Sequence, residues 1–270
     1  MSFETISKRG LVILGCGRMG GAILQGLLSG GLPAHSVHVI DPHPSDWLKS
    51  TNVQLNGTLP DSPAVVLVAV KPQMMADALP QLEAMAKGDT LFLTVAAGIT
   101  MAGYERMLGD QTRLVRAMPN TPAAIGRGVT AIVGNPNATP EDLETADALM
   151  QGVGQVVRLE AEDQMDAVIG VSGSGPAYVF HLIEAMAAAG EAEGLSADLA
   201  LQLAKATVGG AGQLAEDSPE TPATLRENVT SPGGTTAAAL EVLMDPETGL
   251  RPLMRRAVAA NIARNRELGK

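Results

Sequence analysis

Near the C-terminus, Ser231-Pro232-Gly233-Gly234-Thr235-Thr236 places a proline, a glycine pair and three hydroxyls directly ahead of an alanine-rich helix pattern, Ala237-Ala238-Ala239-Leu240. Glycines such as Gly233 and Gly234 can take positive φ and let backbone approach a ligand closely. Thr235 or Thr236 is a candidate N-cap for the following helix. A helix start with unpaired N–H groups and nearby hydroxyls suits a small carboxylate. The same residues also suit an ordinary glycine-rich turn between two helices, and six residues alone leave both readings open.

A second chemistry-bearing run lies at the other end of the chain. Gly10-Leu11-Val12-Ile13-Leu14 reads as a buried strand, Gly15-Cys16-Gly17-Arg18-Met19-Gly20 follows it, and Gly21-Ala22-Ile23-Leu24-Gln25-Gly26-Leu27-Leu28 has a helical pattern. This is G-x-G-x-x-G between a strand and a helix, the context that dinucleotide binding requires. The first glycine makes the tight turn, the second admits a pyrophosphate, and the third lets helix pack on strand. Val37-His38-Val39-Ile40 supplies a second strand ending at Asp41, whose carboxylate can accept hydrogen bonds from an adenosine ribose. Asn56, ahead of the third expected strand, is a second candidate for the ribose or else a turn cap. Cys16 fits the loop as a small side chain. Trp47 is placed to flank an adenine or to pack on the surface.

These two sites need a scaffold, and the chain alternates in a way that builds one. Strands are expected at 10–14, 37–41, 64–70, 90–95, 112–117, 129–134 and 155–159, with helical patterns at 19–29, 73–86, 101–108 and 140–151. Such alternation predicts a parallel sheet covered by helices on both faces, with ligands at the carboxyl ends of the strands. Ala69-Val70-Lys71-Pro72 and Val95-Ala96-Ala97 are two such strand ends, small enough for a flat nicotinamide to approach. Lys71 is a candidate catalytic lysine or a partner for backbone or cofactor oxygens. Beyond about residue 160 the strand signals stop. Helices are expected from Ser174-Gly175-Pro176, Ser196 and Thr221-Pro222, and over 235–244 and 250–268. Their wealth of Ala and Gly permits close helix packing and predicts a dimer through this half. The expected division is therefore an α/β Rossmann-type N-terminal domain, 1–160, followed by an all-α dimerisation and substrate-binding domain, 161–270.

Composition narrows the function classes. The chain has 270 residues, 46% hydrophobic, enough for one or two cores. Its net charge of -10 and the lack of a Lys/Arg cluster argue against a nucleic-acid surface. No long apolar run or leader pattern suggests a membrane or secretion, and the single Cys16 fits a reducing cytoplasm. The histidines His35, His38, His43 and His181 have no metal-ligand spacing, so no metal site is expected.

With both halves in view the chain resembles the pyrroline-5-carboxylate reductases. The resemblance is carried by Gly15 to Gly20, Ala69-Val70-Lys71-Pro72-Gln73, Ala96-Ala97-Gly98, Arg116-Ala117-Met118-Pro119-Asn120-Thr121-Pro122, Gly173-Ser174-Gly175-Pro176-Ala177-Tyr178 and Val229 to Thr236, in the family's order and nearly end to end. It implies NAD(P)H-dependent reduction of the cyclic imine 1-pyrroline-5-carboxylate to L-proline, the final step of proline biosynthesis. It also implies a helical homodimer, in some members a decameric ring of dimers. Ser231 and the backbone at Gly233, Gly234 and Thr235 would hold the substrate carboxylate, and Thr236, the catalytic candidate, would bond the ring nitrogen. Asn228 and Glu162 match further substrate-proximal positions. The cofactor stretches fall on Leu14, Gly15, Cys16, Gly17, Arg18 and Met19, then Asp41 and Asn56, then Ala69, Val70, Lys71 and Pro72, then Val95, Ala96 and Ala97.

The adenosine-side loop, Asp41-Pro42-His43-Pro44-Ser45, has no arginine, and Asp41 would repel a 2′-phosphate. NADH is thus favoured with dual NADPH use expected, since His43 or Ser45 can serve a phosphate. A β-hydroxyacid dehydrogenase would carry a lysine on the first long helix of the second half, and the run from Gly173 to Gly194 has none. A nucleotide sensor without turnover would need the glycine loop but not a separate carboxylate loop.

Overall fold

The computed structural model describes residues 3–268. The chain divides into two compact units: one runs to Gly173 and takes in the chain again from Ile262, and the other is Ser174–Asn261.

In the first unit, eight strands form one sheet. They are β1 (Leu11–Leu14), β2 (Val37–Ile40), β3 (Gln54–Leu55), β4 (Val65–Val68), β5 (Leu91–Thr94), β6 (Arg113–Met118), β7 (Gly128–Gly134) and β8 (Gly154–Arg158), in the order β3-β2-β1-β4-β5-β6-β7-β8. β1, β4 and β5 are buried at every position, so they read as continuous apolar runs instead of alternating ones. One core cluster packs around Leu11, Ile13, Ile23, Leu67 and Leu93 on one face. Val12, Val66, Phe92 and Tyr104 anchor another on the opposite face.

The helices of this unit are α1 (Phe3–Arg9), α2 (Arg18–Ser29), α3 (Asp46–Ser50), α4 (Met75–Ala78), α5 (Met101–Leu108), α6 (Pro140–Gln151) and α7 (Met165–Val168). A π-helical turn, Ile169–Gly173, follows α7.

Two expectations about this unit need correction. The sheet is not wholly parallel: β7 runs antiparallel to β6. The connection 119–127 holds only the 3-10 turn Thr121–Ile125, too short for the crossover a parallel pair requires. The continuous helix expected at 73–86 is broken into a 3-10 turn (Pro72–Met74), α4, and a 3-10 segment (Pro80–Lys87). Pro80 lacks the N–H that would continue the α-helical ladder. The two-residue strand β3 escaped the sequence reading because it is too short to show a period.

The register brings the candidate cofactor residues to one edge. Leu14 lies opposite Ile40 and Val68, and Val68 opposite Thr94. The next residue on each strand, Gly15, Asp41, Ala69 and Val95, therefore lies along the carboxyl edge. Strand order reverses between β1 and β4, which makes the switch-point crevice where α/β sheets take ligands.

The second unit holds α8 (Gly175–Ala192), α9 (Ala197–Asp217), α10 (Pro222–Asn228), α11 (Thr235–Leu243) and the first part of α12 (Leu250–Leu268). α8 begins with proline in its first turn, and α9 and α10 are capped by Ser196 and Thr221. Its buried apolar cluster is small, Ala187, Ala200 and Ala204 with Ile183 packed against them. Large apolar side chains stay exposed, among them Phe180 at 59%, Leu214 at 58% and Val242 at 73%. Helices with so little internal core need a further surface to cover them.

Candidate dinucleotide site and carboxylate loop

The glycine loop divides its labour as its spacing requires. Gly15 has φ +86, and an added Cβ would lie 2.8 Å from Val70 Cγ1. At Gly20 a Cβ would collide with the Gly15 carbonyl oxygen, so this glycine lets α2 pack on β1. Gly17 differs: among the described residues, nothing comes within 4 Å of an added Cβ. It is the N-cap of α2, and no side chain caps that helix. Open space therefore meets the unpaired N–H groups of a helix start, which is what a pyrophosphate needs.

Asp41 is tied to this loop. Its Oδ2 accepts the Cys16 backbone N–H at 2.8 Å, and its Oδ1 accepts the His43 N–H at 2.8 Å. Asn56 holds Asp41 from behind, accepting its N–H at 2.9 Å and donating to its carbonyl at 2.8 Å. Asn56 adopts φ 50, the one positive non-glycine φ among the described residues. This left-handed conformation is uncommon but tolerated by asparagine. Asn56 is thus a clamp on the acidic residue. Burial, and then the Asp41 charge, push the Cys16 thiol up to about 11, so it is no nucleophile near neutrality. Ser45 accepts the Leu48 N–H as the N-cap of α3.

A cavity of about 390 Å³ opens at the ends of β1, β2 and β4. Leu14, Ile40, Pro42, Asn56, Val70 and Met74 are among its walls, with Gln73, Asp77, Ala78 and Gln81. Apolar walls with a few amides suit a flat heteroaromatic ring. Sequence reasoning did not place Ile40, Gln73, Met74, Asp77, Ala78 or Gln81 at this site, because no local pattern marks which residues at a strand end and on the next helix share one cavity. Trp47 is not among the lining residues. Its ring lies near Gly21 of α2, 3.9 Å from where a Cβ would be. Lys71 and Pro72 are exposed just past β4, and Ala69 is half-buried there.

At the end of β5, Val95 is half-buried, Ala96 buried and Ala97 exposed. A buried polar group brackets this segment. The Thr94 and Tyr104 hydroxyls share a hydrogen bond of 2.5 Å, and Thr94 Oγ1 accepts the Ala96 N–H at 3.4 Å. Burial pushes the Tyr104 phenol up to about 12, although Thr94 and Arg116 work against it. Beyond the segment, Glu162 Oε1 accepts the Met101 N–H at 2.7 Å and pairs with the Arg116 guanidinium. Arg116 is 6% exposed. Glu162 thus engages β6 and the first turn of α5. Arg116 was absent from the expected site residues, because an arginine within a strand pattern carries no sign of burial or pairing.

In the second unit, the candidate carboxylate loop has a defined geometry. Ser231 to Gly234 form a turn closed by Gly234 N–H to Ser231 O at 3.0 Å, with Gly233 at φ +68. Proline then glycine at the central positions are what a type II turn favours. Gly234 has φ -81, so it does not use the positive φ open to it. It is itself the N-cap of α11, with no side-chain capping bond. Thr235 and Thr236 therefore lie inside the helix, not at its cap, and the first-turn N–H groups stay available to an anion. Ser231, Gly233 and Thr235 are exposed, and Thr236 is half-buried. The Asn228 amide donates to Glu220 at 3.1 Å.

No cluster of three or more metal-ligating side chains occurs among the described residues. Likewise, no helix among them is long and apolar enough to cross a membrane.

Sheet order, glycine loop and helical second half define the class: a dinucleotide-dependent oxidoreductase with a Rossmann-type domain followed by a helical dimerisation domain. A family model described as NADP oxidoreductase coenzyme F420-dependent matches residues 10–98, and one described as pyrroline-5-carboxylate reductase dimerisation matches residues 162–268. Similar curated proteins include pyrroline-5-carboxylate reductase of Synechocystis sp., 40% identical over 267 residues and covering 96% of this chain and 98% of that protein. The Methanosarcina acetivorans protein of the same name is 36% identical over 264 residues, covering 95% and 97%. A solved pyrroline-5-carboxylate reductase from Coxiella burnetii superposes with TM-score 0.91 at 33% identity, covering 97% of this chain and 99% of that one. The chain belongs to the pyrroline-5-carboxylate reductase family.

Proposed function

We propose that this chain reduces the C=N bond of 1-pyrroline-5-carboxylate to give L-proline, the last step of proline biosynthesis. The observation that carries this reading is the Ser231–Thr236 turn. Its uncapped helix start and adjacent hydroxyls suit a small carboxylate, in a chain whose family's curated members are named for this reduction.

When bound, the nicotinamide supplies the hydride that reaches the imine carbon. The C=N electron pair then moves onto nitrogen, which carries or takes one proton. The chain's own residues bind and orient. Ser231 and the backbone of Gly233, Gly234 and Thr235 hold the carboxylate, and the Thr236 hydroxyl bonds the ring nitrogen or relays a proton from water. A threonine hydroxyl is a poor acid near neutrality, so orientation is the larger contribution, about 7–11 kcal/mol in favourable cases. The helix start adds about 0.3–1 kcal/mol to holding the anion, up to about 2 when partly buried. Asn228 and Glu162 are assigned supporting roles.

For the cofactor, the first-turn N–H groups of α2 take the pyrophosphate and Gly17 leaves it room. The solved Plasmodium falciparum pyrroline carboxylate reductase, with NADP bound, is 25% identical and superposes with TM-score 0.83. Both dinucleotides are therefore assigned to this chain, with NADH preferred because Asp41 faces the ribose position and no arginine stands beside it. The division at 160/161 separates the cofactor-binding part from the part that dimerises and binds substrate. Further assembly into a ring of dimers and a cytoplasmic location, consistent with one free thiol, belong to the same proposal.

The test is NADH consumption with the cyclic imine by wild type and by Ser231→Ala/Thr236→Ala. Imine-dependent turnover lost in the double variant, with NADH still bound, is the expected result. No nicotinamide oxidation with any cyclic imine would sink the reading.

A further inference from the structure

We infer that Arg116, Glu162, Tyr104 and Thr94 act as positioning residues that hold the 95–100 loop in the shape that receives the nicotinamide. This rests on the reading above that Val95, Ala96 and Ala97 line the cofactor. The loop is secured at both ends by side chains that do not belong to it. At its start, Thr94 Oγ1 accepts the Ala96 N–H at 3.4 Å and is shared at 2.5 Å with the fully buried Tyr104. At its end, Glu162 Oε1 accepts the Met101 N–H at 2.7 Å, and the same oxygen pairs with Arg116 on β6.

The chemistry is costly unless complete. Arg116 is 6% exposed, and a buried guanidinium without its carboxylate is strongly unfavourable. Glu162 is therefore held in place by Arg116, and through it so is the first peptide of α5. Between the two anchors, Ala97 stays exposed and Gly98 takes φ +79. Val95, Ala96 and Ile99 pack against the two cores, so the side-chain bonds at the two ends set the course of what lies between them, Ala97 and Gly98. Glu162 acts on the loop through the Met101 backbone N–H.

The experiment compares Glu162→Gln, Glu162→Ala and Tyr104→Phe with wild type. NADH affinity is read by direct fluorescence titration without substrate, and backbone hydrogen exchange is read over 95–101. Glu162→Gln keeps an oxygen that can accept from both Met101 and Arg116. Tyr104→Phe removes one hydroxyl from a packed ring. Both should fold.

The expected result is a loss of NADH affinity of about tenfold or more in Glu162→Ala, the size of one charge-assisted hydrogen bond. Glu162→Gln should recover most of it, and Tyr104→Phe should lose about threefold to tenfold. Exchange should rise selectively at 95–101, and in Tyr104→Phe the KM for the imine should stay within about twofold of wild type, the scale of a few tenths of a kcal/mol.

The inference is overturned if NADH affinity and 95–101 exchange match wild type in Glu162→Gln and Tyr104→Phe. A rise in the imine KM alone would also overturn it and make Glu162 a substrate contact. A uniform rise in exchange with unchanged affinity would reduce the cluster to general stability. Failure of the wild type to bind NADH would instead remove the functional reading on which this rests.

Discussion

The carboxylate of Asp41 accepts the backbone N–H of Cys16 at 2.8 Å, joining the end of β2 to the glycine loop after β1. The proposed ribose partner thus also shapes the glycine loop proposed to take the pyrophosphate. Asp41→Ser should raise the NADPH-to-NADH ratio of kcat/KM by about tenfold or more, equivalent to about 1.4 kcal/mol. It should also weaken NADH itself, because the Cys16 N–H loses its partner. Steady-state kinetics with both cofactors check this, and an unchanged ratio would remove Asp41 from cofactor choice.

Gly17 and Gly20 should respond oppositely to the same added methyl. Gly17→Ala puts a Cβ into open space, so the melting temperature should stay near wild type while NADH affinity falls about tenfold or more. Gly20→Ala drives a Cβ into the Gly15 carbonyl, so it should lose stability, by about 1–3 kcal/mol or more. Thermal unfolding and NADH titration on the pair separate the two effects. Equal affinity in Gly17→Ala and wild type would mean the pyrophosphate does not use this loop.

Thr236→Ala should cut kcat/KM for the imine by roughly ten- to thousandfold, between the loss of a hydrogen bond to a charged group and the loss of a general acid. NADH affinity should not change. Kinetics at varied imine concentration decide this. Wild-type kcat/KM in the variant would dismiss the threonine.

Alkaline pH should destabilise the fold in a defined window. The Cys16 thiol is pushed up to about 11 from its ordinary 9.0, chiefly by burial. Between those values the native state keeps a proton that the unfolded chain has lost, so stability falls as pH rises from roughly 9 to 11. Cys16→Ala should flatten that part of the stability-versus-pH curve. Tyr104 extends the same trend from 10.0 towards about 12. Denaturant midpoints measured across this range test both, and identical slopes for Cys16→Ala and wild type would contradict the assignment to the thiol.

Much of the architecture was legible because its signals are local. A buried strand such as Val65–Val68 must be apolar throughout, and a glycine spaced as Gly15, Gly17 and Gly20 are admits few backbone paths. The Pro232-Gly233 turn and the start of α11 follow from the same local rules. The reversal of β7 was not legible, since direction depends on how much chain the 119–127 connection leaves for a crossover. Nor was the position of Thr235 and Thr236 as the first two residues of the helix: Gly234 takes the cap, and composition cannot rank neighbours that are all good caps.

The sequence by itself determined the class of fold, the phosphate-type loop and the carboxylate-type turn, because each rests on the conformational limits of a few adjacent residues. Only the tertiary structure decided which groups are occupied with one another. Asp41 holds Cys16 and is held by Asn56, while Glu162 serves Arg116 and Met101. Those partners lie 15 to 61 residues apart along the chain. Hydrogen bonds over such separations exist only once the sheet has set its register and excluded water from around them.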